Sequence, residues 1–314
     1  MTLLVADIGG THARFAYADE SGLPSEPVIL STQTMTTATA LVQEAIEQLG
    51  GGNPQHICVA VAGPVRGGCA RITNQGAEFV ESGLSADLGV PVHLVNDFVA
   101  LAHGVTSFNR LVAIGGGRAD NGVKALIGPG SGLGMAVLVP DKGGYRVQHS
   151  EGGHADLAIT SHLEAELWTA LSRRVSHVCW EAVLSGPGLV NLHAALSEVW
   201  GVEAREMTAA QISAAGLSIE DPICHQALEL FFAFLGTAAG GLAVTTMATG
   251  GVYIGGGIVP QMVEFAATSP FRRRFEERGM MSDVAKGIPI WIVRDSNPGL
   301  VGAIRYAQRL VARS

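Results

Sequence analysis

Five short stretches of the chain combine residue types and spacings that suit chemistry on phosphates or polyols. In Asp7-Ile8-Gly9-Gly10-Thr11 a carboxylate ends an apolar run and is followed by two glycines and a hydroxyl. A turn of this composition exposes backbone N–H groups in a small concavity that suits phosphate oxygens, and Asp7 is placed to orient Mg²⁺ or its water. The plainer reading is a tight hairpin turn with a capping Asp. Gly128-Pro129-Gly130-Ser131-Gly132-Leu133-Gly134 alternates four glycines. It lacks the spacing of the dinucleotide fingerprint G-x-G-x-x-G, so it is either a second phosphate-contacting turn or a bulged structural one. Two such turns facing each other would clamp a polyphosphate from both sides. Val95-Asn96-Asp97-Phe98 closes a buried run. Ligands of open α/β sheets bind at such strand ends. There Asn96 donates and accepts, and Asp97 can take a proton from a hydroxyl; an Asn-Asp pair is equally a helix N-cap. His149-Ser150-Glu151-Gly152-Gly153-His154-Ala155-Asp156 offers imidazoles and carboxylates. Zinc sites need three or four ligands, with Cys or a helical spacing. The glycine pair favours instead a loop that lays Glu151 and His154 against a small polyol. Glu181 stands alone in an apolar run, where a carboxylate needs a partner: a pair of sugar hydroxyls, or an Arg from elsewhere.

These residues need a scaffold, and hydrophobic periodicity outlines one. Strands are expected over 3–8, 13–18 and 28–31, a helix over 38–49, and further strands over 56–62, 69–73 and 92–95. A helix starts at Asn96 or Asp97. The pattern then restarts with strands over 123–128, 135–139 and 145–149, followed by helices over 161–173, 180–184, 187–200 and 209–215. A long helix leaves Pro222, strands occupy 252–254 and 288–293, and the last helix covers 298–311. Strand, glycine turn, strand thus occurs twice, each time opening an alternation of strands and helices. Two α/β lobes with a cleft between them account for this, 1–110 plus 299–314 and 111–298, with crossings near 109–122 and 295–300. One large doubly wound sheet is the alternative. From Leu230 to Val263 no residue is charged, long enough for a membrane span. The pairs Gly240-Gly241 and Gly250-Gly251 interrupt it, so it reads as a buried helix ending near Gly250 and then a buried strand.

Composition narrows the class. A chain of 314 residues suits about two domains and buries enough surface to fold without staples. Hydrophobic residues at 47% against 15% charged exclude disorder. A net charge of −8 argues against a nucleic-acid partner. The three lysines, Lys124, Lys142 and Lys286, all lie outside a G-x-x-x-x-G-K setting, which rules out a Walker-type loop. Four cysteines without a C-x-x-C, Cys58, Cys69, Cys179 and Cys224, suit reduced thiols in the cytoplasm. The N-terminus has no basic region and carries Asp7 within its apolar run, unlike a signal peptide.

Taken in order, ADIGGTHARFA, VAGPV, ITN, VNDFVA, GPGSGLGMA, EGGHADLA, VLSGPGLVNL, IGGGIVP and DSNPGLVGA, spread from residue 6 to residue 303, make the chain resemble the bacterial glucokinases of the hexokinase–actin–Hsp70 ATPase superfamily. The resemblance implies two ribonuclease-H-like lobes in the actin-like ATPase fold. It also implies transfer of a phosphoryl group from MgATP to the 6-hydroxyl of glucose, and a homodimer. By the same resemblance Ala6, Asp7, Ile8, Gly9, Gly10 and Thr11 form the first phosphate loop and Gly130, Ser131 and Gly132 fall in the second. Gly255, Gly256 and Gly257 pass beneath the adenosine, Asp97 is the catalytic base, and Asn96, Glu151, His154 and Glu181 join it as sugar ligands. The chain departs from the family pattern at His12, where Asn is usual, and at Gln75-Gly76-Ala77, where an aromatic residue is common. The first departure bears on phosphate contacts, the second on sugar selectivity. Two other readings stand beside this one. One is a kinase or regulator of the broader sugar-kinase family, which carries a zinc-binding Cys cluster after its E-x-G-H element. The other is a non-catalytic sugar-binding protein.

Overall fold

The run from Leu3 to Ile8 is apolar everywhere except at Asp7, so it has two faces to cover, and the fold covers both. In a computed structural model, which describes residues 2–19, 21–71 and 78–312, this run is the central strand β1 (Leu3–Ile8). The expected ITN element and the Gln75-Gly76-Ala77 departure lie outside the described residues.

Strand β1 turns back into β2 (His12–Tyr17), which pairs antiparallel with β3 (Val28–Ser31). Helix α1 (Ala38–Gln48), capped by the Thr37 side chain, leads to β4 (His56–Val61), parallel to β1. A small sheet of β5 (Val65–Arg66), β6 (Cys69–Arg71) and β7 (Glu78–Val80) follows. Helix α2 (Glu81–Leu88) then leads to β8 (Val92–Asn96), and α3 (Asp97–Gly104) follows at once. The main sheet has the order β3-β2-β1-β4-β8. Leu4, Ala6 and Ile8 join Phe15, Ile57, Val59 and the α1 residues Leu41 and Val42 on one face. Leu3 and Val5 join Cys58, Ala60 and Val95 on the other. The parallel register sets Ile8 beside Val61 and Val61 beside Asn96, so the Gly9 turn and Asp97 leave the sheet at the same end, the carboxyl end of the parallel strands.

The second sheet repeats the plan. After β9 (Leu111–Ala113), β10 (Lys124–Pro129) turns back into β11 (Leu133–Asp141), and β12 (Gly144–Ser150) completes an antiparallel meander. Helices α4 (His162–Leu171), α5 (Gly186–Val199), α6 (Ala209–Leu217) and α7 (Pro222–Thr246) intervene before β13 (Val252–Ile254). Short helices α8 (Val263–Thr268), α9 (Phe271–Glu276) and α10 (Ser282–Gly287) precede β14 (Ile290–Val293). The order is β12-β11-β10-β13-β14-β9, with β10, β13 and β14 parallel. Two principal sheets, each a meander followed by parallel strands, replace the single doubly wound sheet. The 180–184 segment, expected as a helix, is a turn: Trp180 and Glu181 donate their N–H groups to Ala155 and Gly153, which ties the segment to the loop before α4. Helix α7 is long and apolar enough to cross a membrane by length and composition, but protein covers most of it. Phe231, Phe232, Phe234 and Leu235 are fully buried in this sheet's core.

The chain then returns. One compact unit is Met1–Arg110 with Asp295–Ser314, the other Leu111–Arg294. Asp295 belongs with the first because its carboxylate accepts from the N–H groups of Asn109 (3.1 Å) and Arg110 (3.2 Å). Helix α11 (Pro298–Val311) lays Leu300, Ala303, Ile304 and Ala307 on the Leu3–Val5 face of the first sheet, next to α3. The two helices approach through Gly104 and Gly302, and a Cβ at Gly302 would overlap the carbonyl oxygen of Ala100. Backbone cannot yield there as a side chain can. Gly302→Ala is therefore expected to destabilise the first unit by about 1–3 kcal/mol, the usual cost of overpacking. Thermal denaturation followed by circular dichroism checks this; an unchanged melting temperature would show that α11 shifts without cost.

Candidate active site

In the first unit the site begins where β1 ends. Ala6 and Ile8 point into the core, so the stretch presents the Asp7 side chain and the backbone of Gly9 to Thr11. The Gly9 N–H donates to the His12 carbonyl (2.9 Å), which closes the turn, and Thr11 Oγ1 lies 3.0 Å from His12 Nδ1. Asp7 is half-buried and sits across the strand pair from Arg14. Burial raises its pKa above the usual carboxylate range, opposed by the positive charge of Arg14. Two strands away, Asn96 caps α3: its Oδ1 accepts from the N–H groups of Phe98 and Val99, both at 3.0 Å. Its Nδ2 donates to the Gly63 carbonyl and to Asp97 Oδ1, each at 3.0 Å. The capping role thus falls to Asn96, and Asp97 is held at the first helical position with Phe98 N–H on its Oδ1 (2.8 Å). Burial, and next the negative charge of Asp7, push the Asp97 pKa up to about 7.

In the second unit the remaining predicted residues converge on the β10–β11 turn. The Gly130 N–H donates to the Gly132 carbonyl (2.8 Å), and Ser131 is exposed at the tip. Glu181 Oε2 accepts from the Leu133 N–H (2.8 Å), and a Cβ at Gly132 would lie 2.5 Å from that oxygen. Backbone thus supplies a partner for one carboxylate oxygen of Glu181. The Glu181 N–H in turn donates to Gly153 (2.8 Å), so this residue ties the glycine turn to the loop carrying Glu151 and His154. Both of those side chains are exposed. Gly255 N–H donates to Ile127 (2.9 Å), and a Cβ at Gly256, whose φ is +81°, would overlap the Pro129 carbonyl oxygen. The Gly255–Gly257 loop is thus held against the foot of the same turn. Among the described residues no group of three His, Cys, Asp or Glu is arranged to hold a metal ion; the Asp156 carboxylate and the His154 carbonyl instead lie against His177 Nε2, at 3.5 and 3.2 Å.

The family model for Glucokinase matches residues 4–310. The chain is 41% identical to the glucokinase of Chromobacterium violaceum, over 99% of this chain and 91% of that protein. The chain belongs to the glucokinase family. A crystal structure of a glucokinase from an Antarctic psychrotroph, 34% identical, superposes with a TM-score of 0.88, covering 98% of this chain and 99% of that one. The ROK family glucokinase of Streptomyces griseus, solved with glucose and AMPPNP, is 22% identical; with a TM-score of 0.68 over 98% of this chain and all of that one, it shares the fold. The fold is the actin-like ATPase fold, and the glucokinase family is one of enzymes that phosphorylate glucose.

Two features of this glucokinase-family chain escaped the sequence reading. Ser185 caps α5 through the Gly188 N–H (2.9 Å), and the adjacent Gly186 N–H donates to the Gly130 carbonyl (2.8 Å), so the start of α5 is part of the glycine turn's support. The SGPG sequence signals a helix start, but nothing in it names Gly130 as the acceptor. The other feature is Gly299, in the first turn of α11, which lies against the Asp7 carboxylate.

Proposed function

We propose that this glucokinase-family chain transfers the γ-phosphoryl group of ATP to the 6-hydroxyl of glucose with Asp97 as general base, giving glucose 6-phosphate and ADP. The observation that carries the assignment is Asp97 itself: a carboxylate at the end of a parallel strand, aimed by Asn96, with a pKa pushed up to about 7. A base works best when its pKa lies near the operating pH. Asp97 takes the 6-hydroxyl proton as that oxygen attacks the γ-phosphorus, the bond to the β-phosphate oxygen breaks, ADP departs, and the proton passes to solvent. Phosphoryl transfer otherwise asks for positioning and charge stabilisation. The turns at Gly9–Thr11 and Gly130–Gly132 supply backbone donors for the phosphates, and Gly255–Gly257 supports the adenosine. Asn96, Glu151, His154 and Glu181 hold the sugar; with Glu181 Oε2 bonded to Leu133, Oε1 is the oxygen for a sugar hydroxyl.

Asp7 suits Mg²⁺. Its carboxylate is desolvated beside the phosphate turn, and Mg²⁺ is usually held by one or two carboxylates together with substrate phosphates. When bound, the ion neutralises charge on the phosphates. The reading extends to a homodimer by family resemblance, and to the cytoplasm because four free cysteines, three of them buried, suit a reducing compartment. A coupled assay with glucose and MgATP tests the function: glucose 6-phosphate and ADP are expected in equal amounts. Glucose binding without turnover would leave a sugar-binding protein instead.

A further inference from the structure

We propose that Gly299 is a positioning residue for the reaction: by carrying no side chain it seats the Asp7 carboxylate and fixes the direction from which that carboxylate meets Mg²⁺. The inference rests on the reading of Asp7 given above.

Pro298 and Gly299 open α11. A glycine inside a helix weakens it by about 1 kcal/mol relative to alanine, so its presence calls for a local reason. At Gly302, three residues on, the reason is backbone, the Ala100 carbonyl. At Gly299 it is of another kind. The three heavy atoms nearest to a Cβ built there all belong to the Asp7 side chain: Cγ at 2.7 Å, Oδ1 at 3.2 Å and Oδ2 closer still. Gly299 is also absent from the positive-φ glycines, so its backbone is one that alanine adopts without strain. The atoms that a methyl group would meet closer than 3 Å therefore all belong to one rotatable carboxylate. The carboxylate lies in the space that a Gly299 side chain would fill, with Arg14 across the strand pair and the first turn of α11, the positive end of its dipole, beside it. Replacing the glycine turns Asp7 about its χ1 and leaves the rest of the unit in place.

The test is Gly299→Ala in the full chain, beside Asp7→Asn and Gly302→Ala. Gly299→Ala is expected to melt at or slightly above the wild-type temperature. Turnover at saturating glucose and ATP should require about tenfold more Mg²⁺, the lower end of the usual effect of losing an outer partner of a metal ligand. A second readout involves no turnover. Mg²⁺ adds to the stabilisation that ADP gives the wild type, and this increment should disappear in Gly299→Ala while the effect of ADP alone persists. Gly302→Ala should melt lower with an unchanged Mg²⁺ requirement. An unchanged Mg²⁺ requirement and an intact MgADP increment in Gly299→Ala would overturn the inference, and so would a melting temperature lowered as in Gly302→Ala. If Asp7→Asn alone moves both readouts, Asp7 keeps its role and Gly299 loses its own; if neither variant moves them, both assignments fall.

Discussion

Asp97→Asn is expected to lower turnover about 10²–10⁴-fold, the span general-base catalysis commonly supplies, while making the folded protein more stable at pH 8. Asparagine keeps an oxygen for the Phe98 N–H and differs little in shape, so glucose affinity should change far less than turnover. The stability gain follows from the sign of the pKa shift. Asp97 moves from an ordinary 3.8 to about 7 in the fold. Between those values the folded chain holds a proton that the unfolded chain has lost. Stability drawn from this group is therefore greatest at low pH, declines as pH rises through that window, and stays low above about 7. Asparagine never ionises and escapes the decline. The same value fixes an acidic limb in the wild-type profile: kcat/KM should fall about tenfold per pH unit below pH 7. Pre-equilibrated assays across pH 5–9 and thermal melts at pH 6 and pH 8 check both halves. Near-normal turnover in the variant would reduce Asp97 to a residue of the helix start.

The largest expected loss of stability lies in the second unit. Arg274 Nη1 meets Glu164 Oε1 at 2.6 Å, with the two side chains only 8% and 2% exposed. Arg274 also reaches Thr237 Oγ1 through Nε and Nη2, and Glu164 Oε2 accepts from the N–H and the hydroxyl of Thr160. The pair joins the first turn of α4 to α9 and to the middle of α7. Removing one partner of such a pair leaves an uncompensated buried charge, which costs about 3–5 kcal/mol. Arg274→Met should lose that much in denaturant unfolding of the second unit. Arg274→Met with Glu164→Leu should recover most of it, because no charge is then stranded. A double variant as unstable as the single one would show that shape, rather than charge, holds these helices together.

What the sequence revealed depended on whether the deciding partner was near in the chain. The β1–β2 and β10–β11 turns were legible because glycines, a strand end and a returning strand are contiguous. The Asn96-Asp97 pair is legible as a helix start, but which residue caps it is not: in the fold Asn96 Oδ1 accepts from both Phe98 and Val99, while Asp97 Oδ1 accepts from Phe98 alone. Glu181 is legible as a carboxylate needing partners, but one of them is the N–H of Leu133, far back in the chain, and backbone donors leave no compositional trace. The turn at 180–184 does not announce itself, because an apolar run that short looks alike in a helix and in a loop tied down by distant carbonyls. Helices α8, α9 and α10 have six residues each, too few turns for a period to emerge.

The return of α11 to the first sheet has a consequence for biosynthesis. A ribosome completes the Leu111–Arg294 unit as one uninterrupted stretch, so the unit begun second has all its parts first. The unit begun first waits: until Leu300, Ala303, Ile304 and Ala307 emerge, the Leu3, Val5, Cys58 and Ala60 face of its sheet has no α11 to cover it. At translation rates of about 5–20 residues per second the wait lasts roughly 10–40 s. During that time an apolar sheet face is available to nascent-chain chaperones. A stop codon just before Pro298 would yield a chain whose larger unit is complete and whose Asp97-bearing unit lacks α11 on one face, a species headed for proteolysis rather than for partial activity.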